Sequence, residues 1–383
     1  MSEDQFFAPS AQYELSDRQR LAWLRLIRSE NVGPVTFRTL INRFGGAEEA
    51  LDAMPQLSKR GGARDIRVSS HEDAEQELDA IMQAGAQLVA MGEPGYPRLL
   101  RYIDTAPPLL TILGQPLLQD SKCVAIVGSR NASAAGRRMT REIATALGNA
   151  GYVVVSGLAR GIDAAAHEAS LNTGTVAVLA GGINRIYPPE NEALLGEISK
   201  TGCGLSEMPF NWQATAREFP RRNRIVSGMS IATVVIEAAE KSGSLITARL
   251  ANEQGREVFA LPGSPLDPRA SGTNRLIKQG AAMVTDASDI LDALAAMPDQ
   301  PPKLMLASAQ EEDLFPFYGE FAEPAQDERT RIIEALGPSP VFIDTLIRET
   351  GIAPAQVHAV LLELQLAGKL EHQGGQRVAL TAL

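Results

Sequence analysis

Four arginines, Arg217, Arg221, Arg222 and Arg224, fall within eight residues of the stretch REFPRRNRIVSG. A guanidinium is weakly hydrated, always charged, and offers a rigid donor fork that matches phosphate oxygens. Phe219-Pro220 breaks the chain ahead of Arg221, Arg222, Asn223 and Arg224, and the segment turns apolar at Ile225 and Val226. Two other stretches offer the same chemistry. In GSR, the backbone of Gly128, the hydroxyl of Ser129 and the charge of Arg130 stand where an apolar run ends and a helical pattern begins. Lys241 stands beside Ser242, Gly243 and Ser244, again where a helix begins. A cation, a hydroxyl and the free N–H groups of a helix N-terminus together make an anion site. Each stretch also has a plainer reading. Ser129 could be a simple N-cap, Lys241 a solvated loop lysine, and the arginine stretch a solvated face offset by Glu207 and Glu218. The recurrence of the combination in several loops favours phosphate binding.

The chain carries formal net charge −10, yet residues 121–297 hold 18 Lys+Arg against 16 Asp+Glu. An anionic partner should therefore meet the middle of the chain. Known cofactor and catalytic signatures are missing. Gly128 is followed by Ser129 and Arg130, and the next glycine is Gly136, so the GxGxxG dinucleotide fingerprint is absent, as is GxxxxGK[ST]. No HExxH, GxSxG or HxE…CxxC occurs. The four histidines, His71, His167, His358 and His372, are scattered, and His167 reads as structural. Cys123 and Cys203 lack metal-type spacing, and their small number suits a reducing cytoplasm. A binding protein without catalytic residues, metal or cofactor is expected. The first residues have no basic region followed by an apolar core, and no apolar run reaches the ~18 residues that span a bilayer.

The elements that must position these residues follow from hydrophobic patterning. Residues 1–84 read as helices. DRQRLAWLRLIRSE spaces Leu21, Leu24 and Ile27 on one face behind Ser16, and ENVGPVTFRTLINRFGG sets a Gly-Pro turn before a helix stopped by Gly45 and Gly46. This pattern is compatible with a helix-hairpin-helix or SAM-like unit; its acidity favours a plain packing module. Residues 85–297 alternate apolar strands, Gly-rich loops and helices. The strands are read at AQLVAM, PPLLTILG, 123–128, 152–157, 175–182, 203–207, 232–238, 257–263 and 281–285. Continuous Val/Ile/Leu runs mark strands buried on both faces, and their alternation with helices predicts a doubly wound, Rossmann-like parallel sheet. Ligands of such sheets bind at the carboxyl ends of the strands. Residues 298–326 are acidic and Pro-rich, as in a linker. Residues 327–383 give three helices and a hairpin, GKLEHQGGQRVAL, as in a winged helix. Its candidate recognition helix, PAQVHAVLLELQLAG, has no Lys or Arg, which favours protein contact or scaffolding over groove reading.

In order along the chain, GSR (128–130), SGLARGIDAAAH (156–167), GGINRIYP (181–188), FPRRNRIVSG (219–228), SGSLITA (242–248), VFALPG (258–263) and GTNRLIKQGA (272–281) resemble the DNA-processing protein A family, DprA or Smf. The resemblance implies an extended Rossmann domain that binds single-stranded DNA without enzymatic activity, forms homodimers, and helps load the RecA recombinase on incoming DNA during natural transformation. By motif, Arg130 and Lys241 would be the principal phosphate-binding cations, with Arg221, Arg222, Asn223 and Arg224 completing the basic pocket. Ile277 and Met283 would belong to the self-association surface. Base stacking would call on Phe210, Trp212 and Phe219. The alternative is a Rossmann-type nucleotide-binding enzyme such as a phosphoribohydrolase. Those enzymes carry PGGxGTxxE, and LAGGINRIYP lacks its second glycine-threonine and its glutamate.

Overall fold

The computed structural model describes residues 14–115, 121–297, 323–373 and 376–381. They form two compact units. One gathers both ends of the chain, residues 1–76 and 306–383; the other is residues 77–305.

The end unit begins with α1 (Asp17–Arg28), α2 (Pro34–Phe44) and α3 (Ala47–Arg60), and α4 (His71–Gln83) carries the chain into the second unit. Ser16 caps α1 in a capping box with Gln19, and Pro34 opens α2. Gly45 ends α2 with φ 79°, a conformation that disfavours other residues.

The second unit is built on a nine-stranded sheet. Its strands are β1 (Ala86–Ala90), β2 (Leu109–Gly114), β3 (Cys123–Val127), β4 (Val153–Ser156), β5 (Thr175–Val178), β6 (Cys203–Ser206), β7 (Ala232–Val235), β8 (Glu257–Ala260) and β9 (Ala282–Met283). Their order is β1-β2-β6-β5-β4-β3-β7-β8-β9. Strands β3 to β9 run parallel. β1 and β2 extend the sheet beyond β6 as antiparallel strands, which the expectation of a parallel sheet did not include. The connection between them holds a short 3-10 turn, Arg98–Tyr102, and no α-helix of the kind that usually carries a parallel crossover. Helices α5 (Ala134–Asn149), α6 (Ile162–Ser170), α7 (Glu192–Thr201), α8 (Glu218–Gly228), α9 (Gly243–Glu253), α10 (Ser271–Lys278) and α11 (Ala287–Ala295) cover the sheet. Val124, Ile126, Val154, Val234 and Phe259 from the strands pack with Ile143, Leu147, Ile162 and Ile290 from the helices. The strand order reverses between β3 and β7, which opens a crevice between the loops that follow them.

The chain's last segment adds α12 (Gln326–Glu334), β10 (Val341–Phe342), α13 (Ile343–Thr350), α14 (Pro354–Leu366), β11 (Leu370–Gln373) and β12 (Arg377–Leu380), with sheet order β10-β12-β11. One face of α14, Val357, Val360, Leu361 and Leu364, lies in the winged-helix core. The opposite face, Ala359, Leu362 and Leu366, is equally buried, and α14 runs along α3. The approach is close enough that a Cβ on Gly61 would stand 2.0 Å from the backbone oxygen of Glu363. Asn31 donates to the Leu366 carbonyl at 3.1 Å. Buried Glu363 meets Arg329 at 2.9 Å and Arg60 at 3.8 Å, and Glu323 joins Arg43, Arg60 and Arg329. The face a winged helix would lay in a DNA groove is thus held by the chain's own N-terminal helices. Of the expected linker, residues 298–322 lie outside the described residues.

Candidate nucleic-acid interface

The loops after β3, β4, β5 and β7 meet at the carboxyl edge of the sheet. Ser129 follows β3. Its carbonyl accepts from Ile162 N–H at 3.2 Å and its hydroxyl from Asn131 N–H at 3.1 Å, which shapes the loop around Gly128. Arg130 is exposed, and its guanidinium lies 5.2 Å from the centroid of the Phe219 ring. Tyr187, 53% exposed, meets the same ring edge-on at 5.4 Å. These groups open onto a cleft of about 280 Å³, lined also by Asn131, Gly157, Ala159, Arg160, Pro188 and Arg222.

The four clustered arginines do not form one basic wall. They lie on or before α8, so successive side chains turn by about 100° and leave in different directions. Arg221 and Arg224, one turn apart, both reach Glu207: Arg221 at 3.2 Å, Arg224 in a tight buried pair. Burial holds the Arg224 guanidinium below its usual range, with Glu207 working against that shift. Arg222 points the other way, into the protein. It donates to the Val178 carbonyl at 3.0 Å and passes so close under Gly157 that a Cβ there would stand 1.6 Å from Nη1. Burial lowers Arg222 to about 10, against the attraction of Asp163. Asp163 itself accepts from the N–H groups of Gly157 at 3.1 Å and Ala159 at 3.3 Å, fixing the loop over the cleft. Asn223 donates to the Gly243 carbonyl at 3.3 Å and ties α8 to the β7 loop. Arg217 is exposed at the helix start.

The expected anion site at the start of α5 is filled from within. Glu237, two residues past β7, accepts from Ser133 N–H at 2.9 Å and from the Ser133 hydroxyl. Ser133 in turn caps Gly136 N–H at 2.8 Å, and a Cβ on Gly136 would lie 2.6 Å from the Glu237 carboxyl carbon. A carboxylate of this chain therefore takes the place a phosphate would take, and Arg130 remains as the loop's offer to an anion. At the β7 loop Lys241 is exposed, and Ser242 caps α9, its hydroxyl 2.7 Å from that of Ser244. Gly243 stands in open space. Lys241 and Ser242 to Ser244 lie outside the cleft lining, and Asn223 ties their loop to α8, the helix that supplies Phe219 and Arg222 to that lining.

Sequence reasoning did not single out Tyr187, Arg160 or Asn131. Tyr187 is an aromatic between a Gly-rich loop and two prolines, where no core stripe calls for one. Arg160 forms an exposed pair with Glu190. Trp212 is partly exposed against Gly182, and Phe210 is half-buried, its N–H donating to Glu77 at 3.0 Å. His167 is buried with Nδ1 2.8 Å from the Thr175 hydroxyl; burial, then Arg222, pushes it down to about 3, so it is neutral near pH 7. Burial pushes the Cys123 and Cys203 thiols up to about 12. Among the described residues, no group of three or more His, Cys, Asp or Glu could hold a metal ion.

Residues 87–295 match the family model described as DNA recombination-mediator protein A. Residues 17–80 match the DprA-like N-terminal HHH domain, and residues 320–376 the DprA winged helix domain. Protein Smf of Synechocystis sp. is 34% identical over 400 aligned positions, covering 95% of this chain and 99% of that protein. Protein Smf of Escherichia coli is 37% identical, covering 77% of each chain. The crystal structure of DNA processing protein A from Streptococcus pneumoniae superposes with TM-score 0.58 at 33% identity, over 73% of this chain and 97% of that one. A Helicobacter pylori DNA processing protein A structure, described for its single-stranded-DNA binding mode, gives TM-score 0.51 at 29% identity, over 55% and 97%.

Proposed function

This chain belongs to the DNA recombination-mediator protein A family of DNA-processing proteins, and we propose that it binds single-stranded DNA at the cleft beside Arg130. The observation that carries the reading is the joining, in one open cleft, of the exposed guanidinium of Arg130 with an aromatic pair, half-buried Phe219 and exposed Tyr187. Phosphates give affinity and unpaired bases stack on rings; a duplex keeps its bases from such a platform. In this proposal Arg130 and Lys241 meet phosphates, with Gly128, Ser129, Asn223, Ser242, Gly243 and Ser244 shaping the two loops that present them, while Arg221 stays with Glu207. Arg222 and Arg224 hold the cleft from beneath. The protein acts without catalysis in the cytoplasm, covering incoming strands and handing them to the RecA recombinase. A homodimer would use the sheet edge at β9, where Met283 is 58% exposed near half-buried Ile277. No helix among the described residues is long and apolar enough to cross a membrane.

Fluorescence anisotropy with matched single- and double-stranded oligonucleotides across a salt series tests the reading. Single strands should bind more tightly, and Arg130→Ala and Lys241→Ala should each flatten the log K against log[salt] slope by about 0.7. Equal affinity for both forms, or unchanged slopes in both variants, would overturn it.

A further inference from the structure

We propose that the exposed face of α5 continues the phosphate path beyond the cleft, with Arg137 and Arg141 as its contacts; this rests on the reading of the cleft as a single-strand site. α5 starts four residues after Arg130, so the helix leaves directly from the rim of the cleft. Its buried stripe, Gly136, Thr140, Ile143, Ala144 and Leu147, faces the core. Arg137, Arg138 and Arg141 occupy the exposed side. Arg138 is paired with Glu142 at 2.8 Å, whereas Arg137 and Arg141 make no ion pair or side-chain hydrogen bond among the described residues.

Exposed Arg98, Arg130, Arg185 and Arg217 of this unit are likewise without a carboxylate partner among the described residues, but Arg137 and Arg141 stand one turn apart on one helix, next along the chain from Arg130. The exposed arginines Arg160, Arg221, Arg249, Arg269 and Arg275 each face a carboxylate. Two neighbouring guanidiniums left uncompensated on one helix face are a local positive field in an acidic chain. Their geometry suits a strand. Residues i and i+4 are about 6 Å apart along a helix axis, close to the spacing of neighbouring phosphates on an extended single strand. Because Glu237 already occupies the N-terminus of α5, phosphates reaching this helix must be met by side chains and not by backbone N–H groups. Arg130, Arg137 and Arg141 then follow one another outward from the cleft.

The test is the Arg137→Ala/Arg141→Ala double variant of the full chain, titrated with dT oligomers of increasing length over a salt series. Alanine is the best helix former, so α5 should persist, which circular dichroism checks. The variant should match wild type on oligomers short enough to fill the cleft alone. On long oligomers its salt slope should fall by about 1.4, so that wild type loses about sevenfold more affinity than the variant over a fourfold rise in salt. Identical length dependence and slope in the two proteins would overturn the path while leaving the cleft intact. Failure of wild type to bind any oligomer would overturn the cleft, and the path with it.

Discussion

Arg224 separates two ways of reading the arginine cluster. If its charge faces DNA, removing it should flatten the salt dependence of binding; if it serves the buried pair with Glu207, the cost should appear in stability. Both side chains are almost fully buried, 9% and 6% exposed. Removing one partner of a buried pair costs about 3–5 kcal/mol, because the other charge is left without compensation. Here Glu207 keeps Arg221 at 3.2 Å, which places the loss at the lower end, about 3 kcal/mol. Arg224→Met retains the length of the stem and removes the charge. For a unit of this size such a loss lowers the melting midpoint by about 6–12 °C. The assay pairs a calorimetric melt, followed through the transition of the sheet unit, with anisotropy salt series below that transition. The expected result is a lowered midpoint and an unchanged slope. A midpoint equal to wild type together with a slope reduced by about 0.7 would refute the assignment of Arg224 to the framework.

Gly157→Ala drives a methyl against Arg222, whose Nη1 would be 1.6 Å away. The arginine must leave the Val178 carbonyl, so the unit should lose about 1.5–3 kcal/mol in urea unfolding, and the cleft should lose oligonucleotide affinity. His167 gives a pH dependence. Its folded value, about 3, lies below the unfolded value of 6.5, so the unfolded chain binds a proton first and stability falls as pH drops below 6.5. From pH 7 to pH 5 this one group should remove about 2 kcal/mol. A His167→Asn chain should lack that increment when the two are unfolded side by side, and parallel pH profiles would refute it.

The sheet was legible because a strand buried on both faces is almost wholly apolar, and β3, β4 and β5, buried along their whole length, carry only Ser156 and Thr175 as polar residues, both hydrogen-bonded to neighbouring strands. The directions of the arginines were not legible. Phe219-Pro220 reads as a break, yet Pro220 lies in the first turn of α8, where its missing N–H has no helical partner to lose. The helix therefore runs through the cluster and scatters neighbours in sequence to opposite sides. Glu237 was missed for a different reason. It caps Ser133 from 104 residues away, and only the adjacency of β3 and β7 brings them together. Tyr187 likewise gains its meaning from Phe219, which the first turn of α8 supplies.

The acidity of the chain is compatible with an anionic ligand because the carboxylates around the cleft are already matched. Glu207 takes Arg221 and Arg224, Glu190 takes Arg160, Asp163 faces Arg222 and two backbone N–H groups, and Glu237 closes the start of α5. More distant acids act through salt, and at about 0.1 M their field decays over ~10 Å. What a phosphate path meets at contact distance is then the surplus: Arg130 over its ring in the cleft, and Lys241 on the loop beyond its lining. Of the four arginines in eight residues, Arg221, Arg222 and Arg224 thus serve chiefly to cancel and brace. The charge proposed to hold DNA comes from cations that the sequence places singly, at the ends of β3 and β7.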